Sequence, residues 1–194
     1  MIEMRQSVHT ILSLLRDVSD IMKDIDPLMA FTPVLSGSCR EGTKITQPNE
    51  VDVLCLLPEL MQLISCHHSA EFNPSYVYLQ VQDPVDERLN GIIINDKYLD
   101  IHRLFLRFYS ALNKALHTKW LWQKYKRLYW FNEDGISLPV SSIQHLDLIW
   151  HGALYKWQHV SVDVVIALHN TNITSQGFTH KVLLSNAGVL YVPK

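Results

Sequence analysis

Two apolar runs in this chain each hold acids where a buried strand has little room for unpaired charge, and this constrains the fold more than any other feature. Val51, Val53, Leu54, Cys55, Leu56 and Leu57 read as a strand buried on much of both faces, ended by Pro58. It opens with Glu50 and Asp52. Residues i and i+2 of a strand point to one face, so these two carboxylates project together. Late in the chain, Ser161-Val162-Asp163-Val164-Val165-Ile166 places one acid inside a second apolar strand. A lone carboxylate there is costly unless it is paired or binds a metal. If the two strands are neighbours, three carboxylates converge.

Carboxylates held close on rigid strands repel one another when ionised. An oxygen-preferring divalent cation, Mg²⁺ or Mn²⁺, relieves that repulsion. Upstream, Ser36 to Thr43 reads as a loop of small and polar residues that includes Gly37-Ser38. Backbone N–H groups and a hydroxyl in such a loop can cradle phosphate oxygens. Three acids and a phosphate loop are the parts that two-metal phosphoryl or nucleotidyl transfer needs. One ion activates the attacking hydroxyl and both clamp the displacement, about 3.5–4 Å apart. Blander readings exist for each part. Gly-Ser dipeptides and spaced acidic pairs recur by chance, and Asp163 could cap a strand edge or pair with Lys156.

With 194 residues, 47% of them apolar, the chain can build one well-cored domain and is short for two. The longest apolar runs, such as Val53–Leu57 and Val164–Leu168, are far below the roughly 20 residues of a membrane-spanning helix. The start, MIEMRQSVHT, lacks the apolar core of a signal peptide. Three scattered cysteines give no disulfide framework, so a reducing, cytoplasmic location is expected. Cys66-His67-His68 has no second ligand pair and reads as a loop rather than a zinc site.

A net charge of −2 excludes a globally basic coat, but it hides an asymmetry. Ile101 to Asn132 has no Asp or Glu and holds seven of the 17 cations. Lys119, Lys124, Lys126 and Arg127 are interleaved there with Trp120, Trp122, Tyr125, Tyr129 and Trp130. The region reads as a helix from about Leu99 through the basic run, split near Leu116–Thr118. Its cations are either a solvated face or contacts to double-stranded nucleic acid. At the N-terminus, Val8, Ile11, Leu15, Val18 and Met22 recur at helical steps and predict one long helix, fading near Asp26-Pro27. Further strands are expected at Tyr76–Val81, His145–Trp150 and Val160–Leu168, with turns at Asp134-Gly135 and His151-Gly152. The tail is apolar again at Val189–Val192.

The run GSCREGTKITQPNEVDVLCLLP resembles the nucleotidyltransferase motif of the Mab-21 family, which includes cyclic GMP-AMP synthase and cGAS-like receptors. The matching residues are Gly37-Ser38, Glu41, Lys44-Ile45, Pro48-Asn49-Glu50 and Asp52. The run LIWHGALYKWQHVSVDVVIALH resembles the strand bearing that family's third acid, and LYVPK the stretch before its C-terminal helical lobe. The resemblance spans nearly all of residues 1–194 and implies an α+β nucleotidyltransferase core of the polymerase-β-like kind. Such a core has a twisted mixed sheet flanked by helices behind a spine-like helix at residues 1–25. It implies that Gly37 and Ser38 bind the triphosphate of ATP or GTP, with Glu50 and Asp52 also at the nucleotide. Glu50, Asp52 and Asp163 would be the catalytic, metal-binding acids, using Mg²⁺ or Mn²⁺. It further implies synthesis of a cyclic dinucleotide in innate immune sensing. Two rivals remain: a non-catalytic binding module of the same fold, and a tRNA- or polyA-type nucleotidyltransferase with the same acids. The family's helical lobe, with the zinc cluster of its DNA-sensing members, has no counterpart here. The chain is therefore expected to be a fragment or short form, inactive alone.

Overall fold

A 24-residue helix, α1 (Ile2–Ile25), leads the chain. Ile11, Leu14, Leu15, Val18 and Met22 are fully buried along one stripe, as the helical spacing requires. Asp26 leaves the helix, and the turn Pro27–Met29 sends the chain back into strand β1 (Thr32–Leu35). The buried Ser19 hydroxyl fixes that return, donating to the Phe31 carbonyl (2.6 Å) and accepting from the Phe31 N–H (2.7 Å). The computed structural model describes residues 2–37, 49–68, 77–95, 97–130, 145–154, 156–169, 181–185 and 188–192.

Strand β2 (Glu50–Leu56) pairs antiparallel with β1. After the helical turn Pro58–Met61 come β3 (Ile64–His68), β4 (Val77–Val81), β5 (Ile93–Ile94) and β6 (Tyr98–Leu99), which form a small sheet in the order β3-β4-β6-β5. Helix α2 (Ile101–Leu116) and the short α3 (Lys119–Lys124) follow. The chain then returns to the main sheet as β7 (Leu128–Trp130), β8 (His145–Trp150), β9 (Gln158–His169), β10 (Lys181–Ser185) and β11 (Gly188–Val192). Among the described residues this sheet has seven strands, in the order β1-β2-β9-β10-β11, with β8 also on β9 and β7 on β8. It is mixed: β2 and β9 run parallel and the other pairs are antiparallel. This is the α+β architecture, with a mixed sheet, a long first helix and flanking helices, that the resemblance implies.

Strand β9 is the centre of the molecule. Val160, Val162, Val164, Ile166 and Leu168 are all at most 1% exposed, whereas Ser161 and Asp163 alternate with them half-buried. The apolar side joins Leu14, Val18, Phe108 and Leu112 of the two long helices in one continuous core. Helix α2 is tied directly to β9. Val164 lies past the last β8 pair, His145↔Asp163, and before the first β10 pair at Ala167, and its carbonyl accepts from the buried Tyr109 hydroxyl (3.1 Å). Burial pushes the Tyr109 phenol well above its ordinary pKa, so it remains a donor. Burial likewise pushes up the Cys55 thiol inside β2.

The structure corrects three expectations. Helix α2 begins at Ile101, not Leu99, because Leu99 pairs with Ile93 in the small sheet and Asp100 caps the helix, accepting from the Arg103 N–H (3.1 Å). Cys66-His67-His68 is not a loop. It is the second half of β3, ordered by antiparallel pairing with β4. The basic run is not helical throughout. After the break at His117-Thr118, α3 stops at Lys124, and Lys126 and Arg127 form a turn into β7. Where α3 ends, Asp17 of α1 accepts from the Tyr125 hydroxyl (2.8 Å) and pairs with Lys124, anchoring this corner to α1. Ser38, the rest of the small-residue loop as far as Thr43, Tyr76 and Asp134-Gly135 lie outside the described residues. No helix among the described residues is long and apolar enough to cross a membrane.

Candidate active site

The parallel β2–β9 ladder places Glu50 opposite Ser161 and Asp52 opposite Asp163. Because side chains alternate, Glu50, Asp52, Ser161 and Asp163 share the sheet face that points away from the helices. Each of the three acids offers a carboxylate oxygen, and these oxygens lie within 4.8 Å of one another. Glu50 is exposed, and Asp52 and Asp163 are half-buried. The backbone beneath them is held on both sides: the Ser36 N–H donates to the Asp52 carbonyl and the Ser161 N–H to the Asn49 carbonyl, both at 2.8 Å. Three hard oxygen donors on a stiff, partly open surface fit a Mg²⁺- or Mn²⁺-sized cation.

Gly37 borders this cluster. Its φ of +60° is left-handed, and a Cβ built on it would fall onto the Asp52 Oδ2. Glycine is required here for two separate reasons, backbone conformation and the closeness of the carboxylate. Asp163 pairs not with Lys156, the partner considered from sequence, but with His145, whose Nδ1 is 2.6 Å from Oδ1. His145 escapes a sequence reading because its position opposite Asp163 depends on the β8–β9 register. The available signal was its place at the start of a strand whose alternate residues, His145 and Asp147, are polar. Of the four cations considered for nucleic acid, all are exposed, but none belongs to the acidic cluster. Lys119 and Lys124 are on α3, Lys126 and Arg127 in the turn, and Lys124 is already paired with Asp17.

Residues 39–181 match the Mab-21 protein nucleotidyltransferase domain. The chain belongs to the Mab-21 nucleotidyltransferase family. That match covers most of the chain and includes β2 and β9 with all three acids. No curated protein matches the chain. Membership of the Mab-21 family supports a transferase acting on nucleoside triphosphates, a class that typically uses divalent metals. The Glu50, Asp52 and Asp163 carboxylates are a group that could hold one.

Proposed function

We propose that this Mab-21 domain is the core of a cGAS-like nucleotidyltransferase, a cytoplasmic enzyme of innate immune sensing that builds a cyclic dinucleotide from ATP, GTP or both. The observation that carries the reading is the in-register pairing of Asp52 with Asp163, which gathers three carboxylates at one point of the sheet. Glu50, Asp52 and Asp163 would hold Mg²⁺ or Mn²⁺, and Gly37 with Ser38 would receive the donor triphosphate beside Asp52. The bound cations would supply charge neutralisation at the reacting phosphate and lower the pKa of the attacking hydroxyl.

In the reaction a ribose hydroxyl oxygen forms a bond to the α-phosphorus. The bond from that phosphorus to the α,β-bridging oxygen breaks, and pyrophosphate leaves with its electron pair. The hydroxyl proton leaves toward the Asp163 carboxylate. The chain's own contribution is placement. Rigid strands set the acids, and Gly37 lets the backbone approach Asp52 closely, so the reactants meet with little reorganisation. Exposed Lys119, Lys126 and Arg127 are the proposed contacts for an activating double-stranded nucleic acid, with Lys124 in a lesser role because Asp17 engages it.

The test is Asp52→Asn. It removes one anionic ligand and keeps the side-chain shape, so stabilisation by Mn²⁺ with ATP should drop sharply, and nucleotide transfer by the full gene product should disappear. A wild-type thermal shift retained in full by Asp52→Asn would refute the site. In the full gene product, metal binding without any product from labelled ATP and GTP would favour the non-catalytic binding module. A linear product extending an RNA end would favour the tRNA- or polyA-type reading.

A further inference from the structure

Two of the three acids have a neighbour that limits where the carboxylate can go. The Gly37 backbone lies so near Asp52 that a Cβ there would fall onto Oδ2. Asp163 is held by His145, and that contact has no part in the family resemblance. An aspartate carboxyl turns about a broad, roughly two-fold torsion, so its backbone position does not by itself fix where its oxygens point. A carboxylate can only accept, so at 2.6 Å the His145 Nδ1 carries the hydrogen and donates to Oδ1. That bond restrains the torsion and engages one lone pair of Oδ1, so both lone pairs of Oδ2 lie outside it. The contact is built into the sheet: His145 is the first residue of β8 and sits directly across from Asp163 in the ladder. The imidazole is about half exposed, with a side-chain exposure of 56% against 27% for Asp163. It therefore adds little to the core, and its polar contact accounts for its place. His159 and Asp147 meet nearby at 3.2 Å, two rungs apart on the same two strands, but neither belongs to the acidic cluster.

We propose that His145 is a positioning residue for Asp163. Its Nδ1–H holds Oδ1 so that Oδ2 is presented to the metals and to the acceptor hydroxyl. The proposal rests on the nucleotidyl-transfer reading of the three acids, but its test does not depend on turnover alone. Partners that orient a metal ligand change metal affinity or activity by about 10–100-fold when removed.

The experiment compares wild type, His145→Ala, His145→Asn and His145→Gln. Mn²⁺ binding is measured by the loss of the free-ion EPR signal with a non-hydrolysable ATP analogue present. Transfer rates are measured on the full gene product across Mn²⁺ and Mg²⁺ concentrations. His145→Ala should weaken Mn²⁺ binding about tenfold and lower kcat by about 10–100-fold, while KM for the nucleotide moves less than twofold. Asparagine places an amide N–H near the lost Nδ1–H, so His145→Asn should recover at least half of the lost Mn²⁺ affinity. Glutamine reaches toward the Nε2 position and should not. A merely structural role would lower thermal stability without this split or this rescue. Wild-type Mn²⁺ affinity in His145→Ala, or His145→Asn no better than His145→Ala, overturns the proposal and leaves the three-acid site standing. If wild type itself binds no Mn²⁺, the active-site reading fails and this proposal falls with it.

Discussion

Replacing Gly37 with alanine tests the site through its backbone, and Gly91 provides the matched control. Both glycines have positive φ, +60° at Gly37 and +84° at Gly91. An alanine held there costs about 1 kcal/mol in backbone strain. Around Gly91 there is open space where the methyl would go, so Gly91→Ala isolates that cost. For a chain of this size, about 1 kcal/mol lowers Tm by about 2–4 °C. At Gly37 the new Cβ would overlap Asp52 Oδ2 and lie 2.9 Å from Cγ. Asp52 cannot retreat along its strand, because it is paired with Asp163 on one side and its carbonyl accepts from Ser36 on the other. Its side chain must turn off its rotamer, adding about 0.5–1.5 kcal/mol. Gly37→Ala should therefore cost about 1.5–2.5 kcal/mol and lower Tm by about 3–10 °C in all. The larger consequence is for ligand binding, since the carboxylate that turns away leaves the cluster. At 100 times its Kd, Mn²⁺ with a non-hydrolysable ATP analogue stabilises wild type by about 2.7 kcal/mol, a rise of roughly 5–10 °C. Differential scanning calorimetry with and without that ligand should show the rise preserved in Gly91→Ala and absent in Gly37→Ala. Equal Tm losses and equal ligand shifts in the two variants would refute the reasoning.

Three further outcomes are expected. Tyr109→Phe keeps the ring but leaves the Val164 carbonyl without its donor, so urea or thermal unfolding should show a loss of about 1–2 kcal/mol; unchanged stability would mean that the bond contributes nothing net. Glu3 accepts from the Trp150 indole N–H (3.3 Å) and the Leu154 N–H (2.8 Å), one at each oxygen. Glu3→Gln turns one acceptor into a donor facing a donor, and calorimetry should register about 1–3 kcal/mol of destabilisation. If the basic corner binds double-stranded nucleic acid, the slope of log affinity against log salt should fall by about 0.9 for Lys126→Ala and Arg127→Ala. It should change little for Lys124→Ala, whose ammonium already faces Asp17; salt-independent binding, or none, leaves these cations as a solvated face.

What could be read from sequence was whatever a few neighbouring residues determine. The stripe of α1 is legible because each buried residue repeats the same helical step, from Ile11 to Met22. The strands bearing the acids are legible because alternation sets the face and an isolated carboxylate in an apolar strand demands a partner. Register and distant anchors could not be read. That Asp163 meets His145 rather than Lys156 follows from how β8 and β9 align, which no local pattern states. The same hairpin is held at its turn by Glu3, far away in sequence. Cys66 to His68 show no alternation of their own and become a strand only because β4 supplies the opposite ladder. The helix through the basic run ends at Lys124, and the anchor at that point is Asp17, on α1, which binds both Lys124 and Tyr125. Gly37 falls between the two cases. Its smallness marks a loop in the sequence, but the reason nothing larger fits is the Asp52 carboxylate on the neighbouring strand. The acids of the site are therefore legible singly, whereas the residues that aim them are defined only by the pairing of strands distant in sequence. Substitutions at Gly37 and His145 thus probe the assembled site in a way that substituting the acids cannot.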